Sequence, residues 1–183
     1  MTVDQISQVL QDADLLVNEE EVRVAIDRMA GEITARLEKS KPVVITIMNG
    51  GLIFAGQILT KLAFPLEIDY IHATRYGNEI KGEELNWIVK PKSELKGKTV
   101  LLLDDILDEG ITLAAIARYC LQQGAAEVLM AVLVEKLHLR KVTPGMRADF
   151  TGVEVGDRFV LGYGLDYKGY WRNAPGIYAV KGL

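Results

Sequence analysis

An α/β fold, a parallel sheet flanked by helices with a small hood over one end, is what the sequence predicts, and three observations predict it. Residues 42–73 run from the apolar strand VVITIM through a glycine pair to a helical pattern and a second strand. Residues 99–136 repeat that order, giving two β-turn-helix-β units in a chain of 183 residues. After residue 150 glycine and aromatic residues replace the long apolar runs. The length suits one domain, 1–183, with a sizeable core. A content of 49% hydrophobic and 25% charged residues is an ordinary globular balance.

The elements follow in order. The opening stretch MTVDQISQVLQDADLL is acidic and has no basic region followed by an apolar block. No apolar run approaches the roughly 20 residues of a membrane span, so the expected location is cytoplasmic, with no membrane partner. Asn18 with Glu21 forms a capping-box pattern, and Val22, Ile26, Met29, Ile33 and Leu37 repeat at helical spacing to about residue 39. Pro42 precedes the strand VVITIM, LIFAGQILTKL reads as a helix, and Pro65 begins the strand LEIDYIHA. A right-handed parallel crossover is the expected connection. Residues 74–98 are polar and rich in glycine and lysine around the strand-like NWIVK, the composition of a mobile loop or hairpin. Then come the strand TVLLLDDI, the helix TLAAIARYCLQQG closed by Gly124, and the strand EVLMAVLVEK. Residues 150–183 read as a strand and a hood of loops.

Composition excludes several functions. With 21 basic and 25 acidic side chains, a net charge of −4 argues against a general polyanion-binding surface, and nucleic acid is not an expected partner. The single cysteine, Cys120, cannot form an internal disulfide, and its neighbours Ile116, Ala117 and Leu121 predict a buried helix position without redox chemistry. His72 and His138 lack metal-ligand spacing and receive no role.

The chemistry concentrates in LLLDDILDEGIT. In a parallel sheet, ligands sit beyond the carboxyl ends of the strands, where Asp104 to Thr112 falls. Backbone amides from Asp108 to Thr112, with Gly110 permitting a tight turn and Thr112 adding a hydroxyl, suit a phosphate. Carboxylates suit sugar hydroxyls, and a divalent cation would offset their repulsion. The pattern asks for a ligand that is both sugar and phosphate, with Mg²⁺. Two other readings stay open: a solvated acidic turn capping the next helix, and a receiver-like phosphoacceptor aspartate, which the mid-chain position of the acids disfavours.

LLLDDILDEGIT resembles the 5-phosphoribosyl 1-pyrophosphate (PRPP) signature of type I phosphoribosyltransferases. VEKLHLR, DRFVLGYGLDY and GYWRN follow in the order and spacing of the hypoxanthine-guanine phosphoribosyltransferases, and MNGG stands at the family's pyrophosphate loop. The resemblance spans about residues 42–173. It implies the family's Rossmann-like fold, residues 74–98 as the catalytic loop, and residues 150–183 as a base-recognising hood over the active site. It also implies purine salvage: hypoxanthine or guanine plus PRPP gives IMP or GMP and pyrophosphate, with Mg²⁺. Alternatives within the fold are a xanthine-preferring enzyme and a non-catalytic PRPP-sensing regulator.

By that resemblance, Asp104 and Asp105 face the ribose hydroxyls. The backbone of Asp108, Glu109, Gly110, Ile111 and Thr112 holds the 5′-phosphate. Asp108 is the general acid or base at purine N7, and Asn49, Gly50 and Arg172 meet pyrophosphate. Lys136 donates to the exocyclic O6, Phe159 stacks on the base, and the Val160 backbone reads its edge. Asp166 belongs to the purine-binding set and binds Mg²⁺ together with pyrophosphate oxygens, with Asp104 and Asp105 as further metal contacts. Arg75 and Tyr76 sit at the lid. Singly, MNGG is an ordinary strand-to-helix turn, Phe159 a core residue and Lys136 a surface one; only their joint spacing says otherwise. Three positions depart from the family. Asn49 replaces a common Lys or Arg, for which Arg172 or Mg²⁺ compensates, and Arg75 replaces a serine. Glu109 replaces a Thr or Ser, and its side chain is expected to turn from the phosphate toward a basic residue of the lid. The family further implies a cis peptide between Met48 and Asn49, and a homodimer or homotetramer. Arg140 is left between a PRPP-side, a subunit-contact and a surface role.

Overall fold

The computed structural model describes residues 1–75 and 85–182. Helix α1 (Val3–Asp12) leads into β1 (Asp14–Asn18) and α2 (Glu19–Leu37). Then come β2 (Val43–Met48), α3 (Leu52–Ile58) with a 3-10 turn at Leu59–Lys61, β3 (Glu67–Arg75) and β4 (Leu85–Val89). The remaining elements are β5 (Thr99–Leu107), α4 (Ile111–Gln122), β6 (Glu127–Lys136), β7 (Phe150–Val155), β8 (Val160–Leu161) and β9 (Gly176–Ala179).

Six strands form the main sheet in the order β4-β3-β2-β5-β6-β7. All its pairs are parallel except β3 with β4, so a parallel α/β sheet carries one antiparallel edge. Alternate residues of the central strands feed opposite faces. Leu101 and Leu103 join α2 and α3 in one cluster, while Val100, Leu102 and Leu107 join α4 in the other. Both faces are covered, which is why β2 is apolar at every position but Thr46 and β5 is apolar from Val100 to Leu103.

Local chemistry sets the helix boundaries. The Asn18 side chain accepts from the Glu21 amide at 2.9 Å, and Glu21 returns a bond from the Asn18 amide at 2.8 Å. The α2 residues Val22, Ile26, Met29, Ile33 and Leu37 are all buried. Arg28 on α2 donates to the carbonyls of Thr151 and Gly152 at 2.8 and 2.7 Å, fixing the helix over β7. Cys120 on α4 is fully buried, and burial pushes its thiol up to about 11, far from thiolate chemistry at neutral pH. No helix among the described residues is long and apolar enough to cross a membrane.

The hood is a second, antiparallel sheet in the order β1-β9-β8. The chain's opening segment therefore builds half of it, through pairs such as Asp14 with Ala179 and Asn18 with Gly176. Helix α1, capped by Thr2 and Gln5, packs Val9 and Leu10 against the cluster containing Leu161, Ala174 and Val180. The Trp171 indole donates to the Ile6 carbonyl at 2.7 Å. Phe150–Val155, expected with the hood, pairs with β6 instead and belongs to the main sheet.

Part of the expected 74–98 loop is built structure. β4 pairs with β3, Trp87 stacks on Tyr119 of α4 at 4.6 Å, and the Asp69 carboxylate accepts from the Lys92 and Ser93 amides at 2.7 Å each. Residues 76–84 lie outside the described residues, and with them Tyr76. Arg75 ends β3.

Candidate active site

The register of the sheet assembles the site. β2 and β5 run in parallel with Thr46 opposite Leu103, so Met48–Gly51 and Asp104–Asp105 emerge side by side. β5 and β6 place Leu107 opposite Glu135, which brings Asp108 and Lys136 together at adjacent strand ends. A cavity of about 370 Å³ opens there. Its lining includes Asn49, Gly50, Asp104, Asp105, Asp108, Gly110, Ile111, Thr112 and Arg172, a majority of the residues singled out from sequence. Met48, His72 and Thr74 complete the wall from β2 and β3.

The two sides of the cavity differ in chemistry. At the α4 entrance, Gly110 takes a left-handed φ of 82°, and no side chain caps the helix. The first amides of α4 have no intrahelical acceptor and so favour an anion. Beside them Asp104 and Asp105 are each only 8% exposed. Burial raises the Asp104 carboxyl well above its ordinary range, and the Asp105 charge adds to it. Burial also raises Asp105, against the Asp104 hydrogen bond and the Arg172 charge, which lower it. The pair is short of positive charge.

Burial likewise pushes Asp108 up, but two side chains overcome it. Lys136 Nζ donates to Oδ2 at 2.8 Å and His138 Nε2 lies 2.7 Å from Oδ1, and the net shift is downward. Asp108 is thus ionised while Asp104 and Asp105 resist ionisation, within one cavity. Such a separation of pKa values marks acid-base sites.

The Met48–Asn49 peptide is cis, as the resemblance implied. The loop behind it is packed without room for side chains. A Cβ on Gly50 would stand 2.2 Å from Asp105 Oδ2, and one on Gly51 would stand 2.7 Å from the Leu103 carbonyl. The hood closes on the same loop: Gly164, at φ 108°, presses on the Gly50 carbonyl. Arg172 donates to the Gly164 carbonyl at 2.5 Å, pairs with Asp166, and comes within 3.8 Å of Asp105.

The base-side residues stand outside this lining. Lys136 reaches it through Asp108, and Asp166 through Arg172. Phe159 is 40% exposed and meets Tyr167 edge-on at 5.8 Å, leaving a ring face available to a planar ligand. Val160 is buried in β8, opposite Ala179. Glu109 also stands outside the lining; its carbonyl accepts from the Val142 amide at 2.7 Å, and its charge is felt by Arg140. Arg140, on the loop after β6, is thus one basic neighbour of Glu109, while the lid residues expected to meet its side chain fall at 76–84, outside the described residues. Arg140 itself is exposed and paired with Asp157.

Sequence reasoning missed residues on that same loop. Lys141 Nζ donates to the Leu107 and Asp108 carbonyls at 2.9 and 2.7 Å, and Met146 packs on Gly110. His138, which lacks metal-ligand spacing and has no role by sequence, has as its partner a carboxylate 30 positions away.

The carboxylates fit a cation carried by the substrate. Asp104 and Asp105 are a buried acidic pair held against their own repulsion. Among the described residues no three His, Cys, Asp or Glu side chains converge into a cage. An ion taking one or two carboxylates and completing its shell from phosphate oxygens is the usual Mg²⁺ arrangement. The raised Asp104 pKa has a sign that can be tested. A carboxyl raised by folding contributes stability only while protonated, and that stability is lost as pH rises through the folded pKa. Asp104→Asn, in chelator, is therefore expected to raise Tm more at pH 8 than at pH 5, by roughly 2–4 °C for each kcal/mol relieved. An equal shift at both pH values would contradict the assignment.

Residues 13–168 match the phosphoribosyl transferase domain family. The chain is 34% identical over 169 residues to the hypoxanthine-guanine phosphoribosyltransferase of Aquifex aeolicus, covering 91% of this chain and 94% of that one. It is 31% identical to the enzyme of the same name from Bacillus subtilis, covering 91% and 92%. A crystal structure of a hypoxanthine phosphoribosyltransferase from Staphylococcus aureus superposes with a TM-score of 0.87 at 26% identity, covering 93% of each chain. An uncapped helix entrance, a buried acid pair and a separately ionised Asp108 are thus found in a chain that belongs to the phosphoribosyltransferase family, alongside its hypoxanthine-guanine members.

Proposed function

We propose that the protein works in purine salvage, transferring the 5-phosphoribosyl group of PRPP to N9 of hypoxanthine or guanine to give IMP or GMP and pyrophosphate. The observation that carries this is the Asp108–Lys136 contact beside the uncapped α4 entrance. It supports reading Asp108 as a proton-handling carboxylate and Lys136 as an O6 donor next to a phosphate seat.

In this reading the amides from Asp108 to Thr112 receive the 5′-phosphate, and Asp104 and Asp105 accept from the ribose hydroxyls. The Asn49–Gly50 loop and Arg172 meet pyrophosphate. Phe159 stacks on the purine while Val160 meets its edge. Lys136 donates to the exocyclic oxygen of a 6-oxopurine, whereas adenine would present an amino group to another donor. As N9 forms its bond to the anomeric carbon and pyrophosphate departs, positive charge accumulates on the ribosyl ring, and the buried acids stabilise it. Asp108 takes or returns the N7 proton. Asp166, with Asp104 and Asp105, would hold Mg²⁺, which supplies charge neutralisation of pyrophosphate. A lid carrying Arg75 and Tyr76, a cytoplasmic setting and a homodimer or homotetramer belong to the same proposal. Exposed Ile68, Tyr70 and Ile88 on β3 and β4 support self-association.

The test is a base panel of hypoxanthine, guanine, xanthine and adenine with PRPP and Mg²⁺. Product from hypoxanthine or guanine and none from adenine is expected. Preference for xanthine would redirect the base assignment. PRPP binding by calorimetry without any nucleotide formed would make the protein a sensor instead.

A further inference from the structure

We propose that His138 is a positioning residue of the transfer reaction, fixing the rotation of the Asp108 carboxylate. This rests on the purine-transfer reading above. His138 Nε2 lies 2.7 Å from Asp108 Oδ1, and the imidazole is 5% exposed. Its other nitrogen, Nδ1, accepts from the Arg140 amide at 3.1 Å. That amide assigns the proton to Nε2, so His138 donates to Asp108. The ring is held from both sides.

Its platform is equally tied down. The Leu137 amide donates to the Val155 carbonyl at 2.8 Å, and the Val142 amide donates to the Glu109 carbonyl at 2.7 Å. Lys141 bonds the Leu107 and Asp108 carbonyls. The loop after β6 therefore grips the Asp108 turn by its backbone and by its carboxylate. Among the described residues, charged and titratable groups facing Asp108 are Lys136 from β6 and His138, Arg140 and Lys141 from that loop, with Glu109 of the same turn acting on Arg140.

The two donors to Asp108 have different obligations. Lys136 has three protons and is shared with the base oxygen; His138 has one, directed at Oδ1. Without His138 the carboxylate is free to rotate onto Lys136, where it competes with the base for the ammonium and turns its lone pair from N7. The loss then falls on the chemical step rather than on PRPP binding.

The experiment compares wild type, His138→Leu and His138→Gln in steady-state kinetics, with carboxyl-carbon NMR titration of Asp108 in each. His138→Leu is expected to lower kcat roughly 10- to 100-fold, the scale of one hydrogen bond to a charged group. KM for PRPP should stay within about threefold. His138→Gln, whose amide N–H reaches the Nε2 position, should recover most of the loss. Loss of the donor should raise the Asp108 pKa in His138→Leu, moving the acidic limb of kcat/KM to higher pH, and Gln should restore it. Unchanged kcat in His138→Leu, or equal losses in Leu and Gln, overturns the proposal. The NMR titration needs no turnover: an unmoved Asp108 pKa refutes the positioning role, whereas an inactive wild type refutes the purine-transfer reading instead.

Discussion

Asp108→Asn is expected to lower kcat by about 10² to 10⁴, the usual contribution of a positioned general acid or base. KM for PRPP should change only a few-fold, because the proposed phosphate and ribose contacts come from backbone amides and from Asp104 and Asp105. The substitution also disturbs the site in a readable way. Lys136 and His138 both donate to Asp108, and an amide offers them one acceptor and one donor. One of the two is left facing a like group. Asp108 is held below the ordinary carboxylate range, so in the wild type this group should already be ionised from pH 6 upward. Single-turnover measurement of nucleotide formation separates the chemical step from product release, and an unchanged rate there would remove Asp108 from catalysis.

Gly164→Ala should be as damaging from a position that carries no reactive group. Its methyl would stand 2.2 Å from the Gly50 carbonyl and 3.2 Å from Asp105 Cβ, on a backbone at φ 108°. Nothing there is the end of a flexible side chain, so backbone must move. Overpacking together with the left-handed backbone is worth about 2–4 kcal/mol. That corresponds to a fall in Tm of roughly 5–15 °C. Because the displaced atoms belong to the loop proposed to meet pyrophosphate and to an acid proposed to face ribose, kcat/KM for PRPP should drop at least about 100-fold. Gly156→Ala is the control: its methyl meets nothing within 4 Å, and Tm should hold within about 1 °C. A Gly164→Ala protein with normal Tm and kinetics would show that hood and loop are not coupled.

Much of this was legible in the sequence because it is local. The α2 stripe repeats every three or four residues behind its own capping box, and the buried strands are unbroken apolar runs. Helix α1 carried a comparable signal, Thr2 with Gln5, within a segment weighed only for targeting. The phosphate turn was legible for a related reason: Asp104 to Thr112 is one continuous stretch at a strand end. What stayed hidden depends on distant partners. β1 pairs with β9 across most of the chain, and no period in either segment announces it. The contact of Gly50 with Gly164 and the bond from His138 to Asp108 arise only when strand ends and hood converge. Glu109 stood out as a break in a pattern, and the charge it exerts on Arg140 crosses to a loop the sequence marked only by the family's spacing.

The hood sheet has a consequence for how the protein is made. Residues 14–18 are synthesised well before their partners, residues 176–179. The six-stranded sheet needs nothing beyond Val155, so it is able to form while β1 still waits. Pairing across such a separation is slow because a long loop must close first. Until then the unpaired edge of β1 and the apolar side of α1 are exposed to chaperones and to other nascent chains. The main sheet is thus expected to mature before the hood sheet, and pulse-labelling hydrogen exchange should show β5 and β6 protected ahead of β1 and β9.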